Sequence, residues 1–377
     1  MKEIRMVDLK TQYDGIREEI DNAIKEVIHS TSFIRGNEVR QFEDELAEYL
    51  GAANVISCGN GTDALQIAMM ALGLKPGDEV ITTDFTFIAT VEPIALLGLK
   101  PVYVDPDPFS FNIDPELAEK AVTPKTKAIL PVHLFGQCAD MDPLIDMARR
   151  HKLFIIEDTA QATGADYYSG NGETRKAGTI GEVGCTSFFP SKNLGCYGDG
   201  GALFTDDDAL AAKIRSIANH GMTRRYYHDH IGVNSRLDTL QAAILRVKLI
   251  NLDRYNKLRL AVADKYDAAF RNQPGLTLPH RSRFSSHIFH QYTLKLNPDD
   301  RDRMRDYLAG KNIPSMVYYP VPLHRQEAYS YLGYEYNSFS VTEELSGSVL
   351  SLPMHTELDD EQINYIISTV LEFFNKI

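Results

Sequence analysis

Cysteine is scarce, and its spacing excludes more than its number does. Cys58, Cys138, Cys185 and Cys196 form no C-x-x-C pair and no zinc-ligand pattern. All four lie in or beside apolar runs, so buried free thiols in a reducing compartment are expected, not a catalytic thiol. Long hydrophobic runs are absent too: no apolar stretch reaches about 18 residues. The opening MKEIRMVDLKTQY has no apolar signal region. A cytoplasmic protein without a membrane partner is the expectation. Positive charge is in deficit, with 39 Lys and Arg against 52 Asp and Glu and a net charge of −13. That argues against nucleic-acid binding, which needs a cationic surface. An anionic ligand stays possible where the site is locally positive or rich in backbone N–H groups. Two phosphate signatures are also missing. No G-x-x-x-x-G-K-[ST] occurs, and no G-x-G-x-x-G follows a strand. The GDGG at 198–201 precedes one, which disfavours a nicotinamide-dependent oxidoreductase.

What is present is an ordinary globular composition, 44% hydrophobic and 24% charged, over 377 residues. That length suits a large domain, 1–236, and a smaller one, 237–377. Seven short β-rich runs punctuate the first part: NVISC (54–58), EVITT (79–83), PVYVD (101–105), KAILPVH (127–133), LFIIED (153–158), GCTSFF (184–189) and GALFT (201–205). Helix-period segments separate most of them, which predicts an α/β fold with a mainly parallel seven-stranded sheet covered by helices. The last two runs are expected to bracket an excursion out of the sheet. After residue 236, Asp238 and Gln241 resemble a capping pair opening one long helical pattern through 270. A strand (HIFHQYTLKL), a helix (RDRMRDYLAG), a strand (SMVYYP) and a final helix then predict a smaller α+β domain.

Ligands of α/β sheets collect at the carboxyl ends of strands, so the polar residues there are the candidates. After the first run, GNGTDAL puts Thr62 and Asp63 at a helix start, where free N–H groups suit a phosphate; a plain helix cap by either residue fits equally. At the end of the fifth, Glu157 and Asp158 are adjacent, so they face opposite sides of the sheet and cannot act as a pair. A carboxylate in so apolar a strand needs a cation or strong donors. Ser187 and Lys192 close the sixth run; a lysine buried there would lose its proton readily, as a Schiff-base amine must, although a surface lysine beside a glycine loop is the plainer reading. After the second run, Phe85 or Phe87 could stack on a planar ring, although a core phenylalanine is the plainer reading. Each feature alone is weak. Together a phosphate cradle, a stacker, a carboxylate and an amine form the equipment for pyridoxal phosphate.

The segments GNEVRQFEDELAEYLG, NGTDALQIAMMALGLKPGDEVITTDFTFIAT, EDTAQATGA, TSFFPSKNLGCYGDGGA and GVNSRLDTLQAA, in that order, resemble the DegT/DnrJ/EryC1/StrS family. These are fold-type I, pyridoxal-phosphate-dependent aminotransferases of nucleotide-linked keto sugars. The resemblance implies that Lys192 forms an imine with pyridoxal 5′-phosphate and that Asp158 pairs with its ring nitrogen. Gln161 would lie near the ring hydroxyl, with Phe87 rather than Phe85 as stacker. Thr62, Asp63 and Ser187 would hold the phosphate, helped by Asn234 of a neighbouring copy in a homodimer with shared active sites. FFPSKNLGCYGDGGA with YYPVPLH resembles the branch acting on UDP-linked 3-keto-hexuronic acids in surface polysaccharide synthesis, with glutamate as donor. Arg224, Arg225, Tyr226, Tyr318, Tyr319 and His324 are candidate substrate contacts. His228 and His230 form an H-x-H without a third ligand and read as solvated, so no metal is expected. The competing readings are a non-catalytic cofactor-binding regulator of the same fold, an aldolase-type enzyme with the same cofactor, and an aminotransferase for another sugar, such as a dTDP- or GDP-4-keto-6-deoxy hexose.

Overall fold

The computed structural model describes residues 2–376. Five strands come first: β1 (Asn54–Cys58), β2 (Glu79–Thr83), β3 (Lys100–Val104), β4 (Thr126–Leu130) and β5 (Phe154–Asp158). A small hairpin of β6 (Asp166–Tyr168) and β7 (Thr174–Lys176) precedes β8 (Val183–Ser187) and β9 (Gly201–Thr205). The main sheet has seven strands in the order β1-β9-β8-β5-β4-β2-β3. All its pairings are parallel except those of β9, which runs against both β1 and β8. The excursion that leaves at Ser187 thus returns beside it, since Ser187 pairs with Gly201.

The apolar runs are continuous because both sheet faces are covered. Val80, Leu130 and Ile156 enter one core, while their neighbours Ile81, Ile129 and Ile155 enter the other. The helix Gly61–Leu72 lies on the first face and Met141–His151 on the second. Beyond a hairpin of β10 (Met222–Arg224) and β11 (Tyr227–His228), the chain builds an antiparallel sheet of β12 (Leu276–Thr277), β13 (Tyr292–Leu296) and β14 (Val349–Leu352). That sheet shares a separate core with the helices Leu252–Phe270, Pro298–Gly310 and Asp360–Asn375. Leu323, Tyr329 and Phe339 pack instead into the main core. Among the described residues no helix is long and apolar enough to cross a membrane.

Several local expectations give way to tertiary context. The pattern through 270 is two helices, Thr239–Leu249 and Leu252–Phe270. The break falls at Asn251, whose side chain bonds the Val247 carbonyl and competes with the helix ladder. Asp238 caps nothing with its side chain, and Gln241 instead accepts from the N–H of Tyr197 at 2.8 Å. HIFHQYTLKL becomes a strand only from Tyr292, because Phe289 takes a left-handed φ of 48° and turns the chain. SMVYYP is no strand: Met316 makes a lone bridge to Ser351, and Pro314, Pro320 and Pro322 offer no N–H to a ladder. The expected second strand of that part is VLSL, 349–352.

Candidate active site

A cavity of about 680 Å³ opens at the carboxyl ends of β1, β2, β5 and β8. Of the predicted residues, it gathers Thr62, Asp63 and Phe87, then Asp158, Gln161, Ser187 and Lys192, and also Tyr318 and Tyr319.

One corner of it is built where β1 turns into the helix Gly61–Leu72. Asn60 is the N-cap, its side chain accepting from the N–H of Asp63 at 2.8 Å, so neither Thr62 nor Asp63 caps the helix. Gly61 and Thr62 therefore contribute N–H groups of the kind a helix leaves without an internal acceptor. A side chain at Gly61 would close this corner, since its Cβ would stand 2.7 Å from that of Ser187. Asp63 also borders the cavity, but its carboxylate accepts from the Ser235 hydroxyl at 2.6 Å, and that hydroxyl accepts from Gly59 N–H at 2.8 Å. Asp63 thus holds the loop carrying Asn234 and Ser235 against the turn.

At the sheet's centre, Glu157 and Asp158 do face opposite ways. Glu157 is wholly buried, 2.8 Å from His133 Nε2, and accepts the N–H groups of Gly178, Ile180 and Gly181. Burial alone would raise its pKa, but His133 and these donors outweigh it and hold the carboxyl below its usual range. Asp158 borders the cavity, accepting from Thr90 Oγ1 at 3.0 Å and from Ala160 N–H at 3.1 Å. Burial pushes its pKa up, against the pull of those donors and of Lys192. Lys192 is brought down by burial to about 8, with Asp158 opposing the shift. An amine near neutrality beside a carboxylate can act both as nucleophile and as base.

The cavity is roofed by aromatics. Phe87 is 52% exposed and lines it, whereas Phe85 is 1% exposed and belongs to the core. The Phe87 and Tyr319 rings lie 6.0 Å apart. Gln161 bridges, accepting from Phe135 N–H at 2.8 Å and donating to the Tyr319 hydroxyl at 2.9 Å.

Five predicted residues do not line this cavity. Arg224, Arg225 and Tyr226 belong to the exposed β10–β11 hairpin, where Arg224 stacks on Tyr227 and Arg225 on Tyr226. Asn234 is exposed and bridges Asn219. His324 is a correction: it is buried against Asp84, with Nδ1 2.6 Å from that carboxylate, and approaches Glu343 on its other side. Its proline-flanked segment folds into the main core instead of facing the cavity. His228 bonds the His220 carbonyl, and among the described residues no group of His, Cys, Asp or Glu is arranged to hold a metal. Three residues of the site escaped sequence reasoning. Thr90 closes the TTDFTFIAT stretch that drew notice for its aromatics, and Ser235 follows Asn234. His290 was hidden in what read as an ordinary alternating strand.

The pattern of the DegT/DnrJ/EryC1/StrS aminotransferase family matches residues 14–371, and the chain belongs to that family. Its fold is accordingly that of the fold-type I aminotransferases, and it is an enzyme of the transaminase class. It is 47% identical over 367 residues to the UDP-2-acetamido-2-deoxy-3-oxo-D-glucuronate aminotransferase of Pseudomonas aeruginosa, covering 97% of this chain and 99% of that one. It is also 47% identical over 373 residues to a protein of Geobacillus stearothermophilus called pleiotropic regulatory protein, covering 98% of each. Among solved structures, S. venezuelae DesV in complex with a ketimine intermediate superposes with a TM-score of 0.96 at 39% identity, each chain fully covered.

Proposed function

We propose that this chain uses pyridoxal 5′-phosphate to move an amino group, from glutamate, onto the keto carbon of a UDP-linked 3-keto-hexose or hexuronic acid. The observation that carries this is the convergence of Lys192, Asp158, Ser187 and a free helix N-terminus on one cavity. The residues suit the cofactor: a corner closed to any side chain at Gly61, a carboxylate on the cavity wall, and an amine brought to about 8. When bound, the cofactor supplies a reactive aldehyde and a ring that withdraws electrons from the amino carbon. Thr62, Ser187 and the N–H groups at the helix start would hold its phosphate. Asp158, ionised, would keep the ring nitrogen protonated, Phe87 would stack on the ring and Gln161 would lie by its hydroxyl. Lys192 would be the covalent attachment point and, once released, the base that carries a proton from the donor's α-carbon. Asp63 supports the cradle through Ser235 and is not assigned a direct phosphate contact.

The keto-hexuronate reading draws on the Pseudomonas aeruginosa relative, and we propose surface polysaccharide synthesis as the destination of the product. The regulator reading, which the Geobacillus stearothermophilus relative's name invites, would keep the same cavity for the cofactor and differs in turnover: a non-catalytic binder would not bleach with an amino acid. Tyr318 and Tyr319 are the substrate contacts this chain itself offers. We assign Asn234, Arg224, Arg225 and Tyr226 to the cavity of a second copy in a homodimer. Four buried free thiols suit cytoplasmic residence. Purified enzyme loaded with cofactor and given glutamate should lose its yellow absorbance, and a UDP-linked 3-keto sugar should restore it. No bleaching with any amino acid would overturn the transaminase reading. Mixing Lys192→Ala with Asn234→Ala should restore part of the activity if sites are shared between copies; no recovery from a proven mixed dimer would count against the sharing.

A further inference from the structure

His290 lies just ahead of β13 and lines the cavity with Lys192, although it enters from the C-terminal sheet. Its Nδ1 is 3.2 Å from Oδ1 of Asn193, the residue that follows Lys192. The Asn193 amide cannot be turned over. Its Nδ2 lies 3.3 Å from the Ile288 carbonyl, which can only accept, and 2.7 Å from Asn256 Oδ1. Asn193 Oδ1 is therefore the acceptor toward His290, and the proton between them belongs to Nδ1. Nε2 is left as a bare lone pair. A second proton on the ring is opposed, first by burial and then by the cations Lys192 and Arg259, which hold the imidazole well below its ordinary range. Arg259 donates to the carbonyl of His290 itself at 3.3 Å.

We propose that His290 is a positioning residue for the Lys192 amine: Asn193 locks its ring as the Nδ1–H form, which leaves Nε2 to accept a hydrogen bond from Lys192 when that amine is free in the cavity both residues line. The chain Asn256–Asn193–His290 then fixes both the backbone beside Lys192 and the direction of its amine. This rests on Lys192 being the reactive amine. A merely structural histidine would serve only as the donor to Asn193, and a substitution separates the two roles. In His290→Asn the amide Nδ2 stands where Nδ1–H stood, so Asn193 keeps its partner while the Nε2 acceptor is gone.

Trinitrobenzenesulfonate labelling of Lys192 in the full chain stripped of cofactor, read by peptide mass spectrometry across pH 6–10, is the first measurement. Losing an acceptor disfavours the ammonium, so the midpoint in His290→Asn should fall by about one pH unit. In the loaded enzyme kcat should fall roughly tenfold or more, with KM changed far less. An unchanged midpoint with unchanged kcat would overturn the proposal. Nitrogen-15 histidine spectra of the wild-type protein test it without any substitution. They should give His290 as neutral Nδ1–H from pH 6 to 8; an Nε2–H form or an imidazolium in that range would refute it. If Lys192 itself resists labelling in the wild type, the lysine assignment fails first, and that result is distinct from an unmoved midpoint.

Discussion

Two lysines of this molecule, Lys192 and Lys248, are both brought down to about 8, and in both burial is the leading cause. Their surroundings differ in everything else. Lys192 borders a cavity of about 680 Å³ and has the Asp158 carboxylate within reach of its field. Lys248 is 1% exposed inside the helix Thr239–Leu249, 5.1 Å from the centre of the Tyr197 ring, with Cys196 and Arg259 as its charged or titratable neighbours. A depressed amine is thus what burial does to any lysine. It becomes chemistry only where a ligand can enter and a carboxylate waits.

Substitutions can break that contrast or sharpen it. Lys192→Ala should lower turnover roughly 10³-fold or more and remove the yellow absorbance of the loaded enzyme. Next, Asp158→Asn should lower kcat by about 10²-fold while cofactor is still bound, as stopped-flow and absorbance would record. The adjacent acid should behave in the opposite way. Glu157→Gln is expected to cost about 3 kcal/mol of stability, since it leaves His133 and part of the N–H cluster without their anion. Because folding depresses the Glu157 pKa from its ordinary 4.5, its contribution is present above that value and is lost as the pH falls through the folded one. Denaturant midpoints between pH 7 and 3 should therefore flatten in the variant. Gly61→Ala should weaken cofactor affinity about tenfold, measured by fluorescence titration, through crowding against Ser187. Lys248→Met closes the series: stability within about 1.5 kcal/mol of wild type and activity unchanged. A large loss of activity there would erase the distinction between the two lysines.

Much of this site was legible because its residues sit at strand ends, and strand ends are readable from apolar runs. Asp158 ends the run 153–158 and Lys192 lies three positions beyond the run 184–189, and the period of two correctly set Glu157 and Asp158 apart. What stayed hidden depends on partners far along the chain. The cap is Asn60 rather than Thr62 or Asp63, because the helix begins at Gly61, and Asp63 is engaged by Ser235, more than 170 positions downstream. His324 looked available in YYPVPLH, but Asp84 at the end of β2 takes it out of reach. His290 alternates like any strand residue, and only the fold brings it beside Asn193. Sequence spacing reports which residues share a segment; long-range closure decides which of them are free.

The reversed strand β9 has a consequence for how the molecule comes into being. β1 has no partner in the main sheet except β9, so Asn54 must wait for Thr205 before its edge is closed. Chain synthesised up to β8 can pair β2 through β5 with one another and seat the helix Gly61–Leu72 against β8, yet β1 stays unpaired. The corner proposed for the phosphate is therefore held on its β1 side only after some 150 residues of intervening chain have emerged. Folding intermediates that lack β9 should have most of their parallel strands and a weakened affinity for the cofactor.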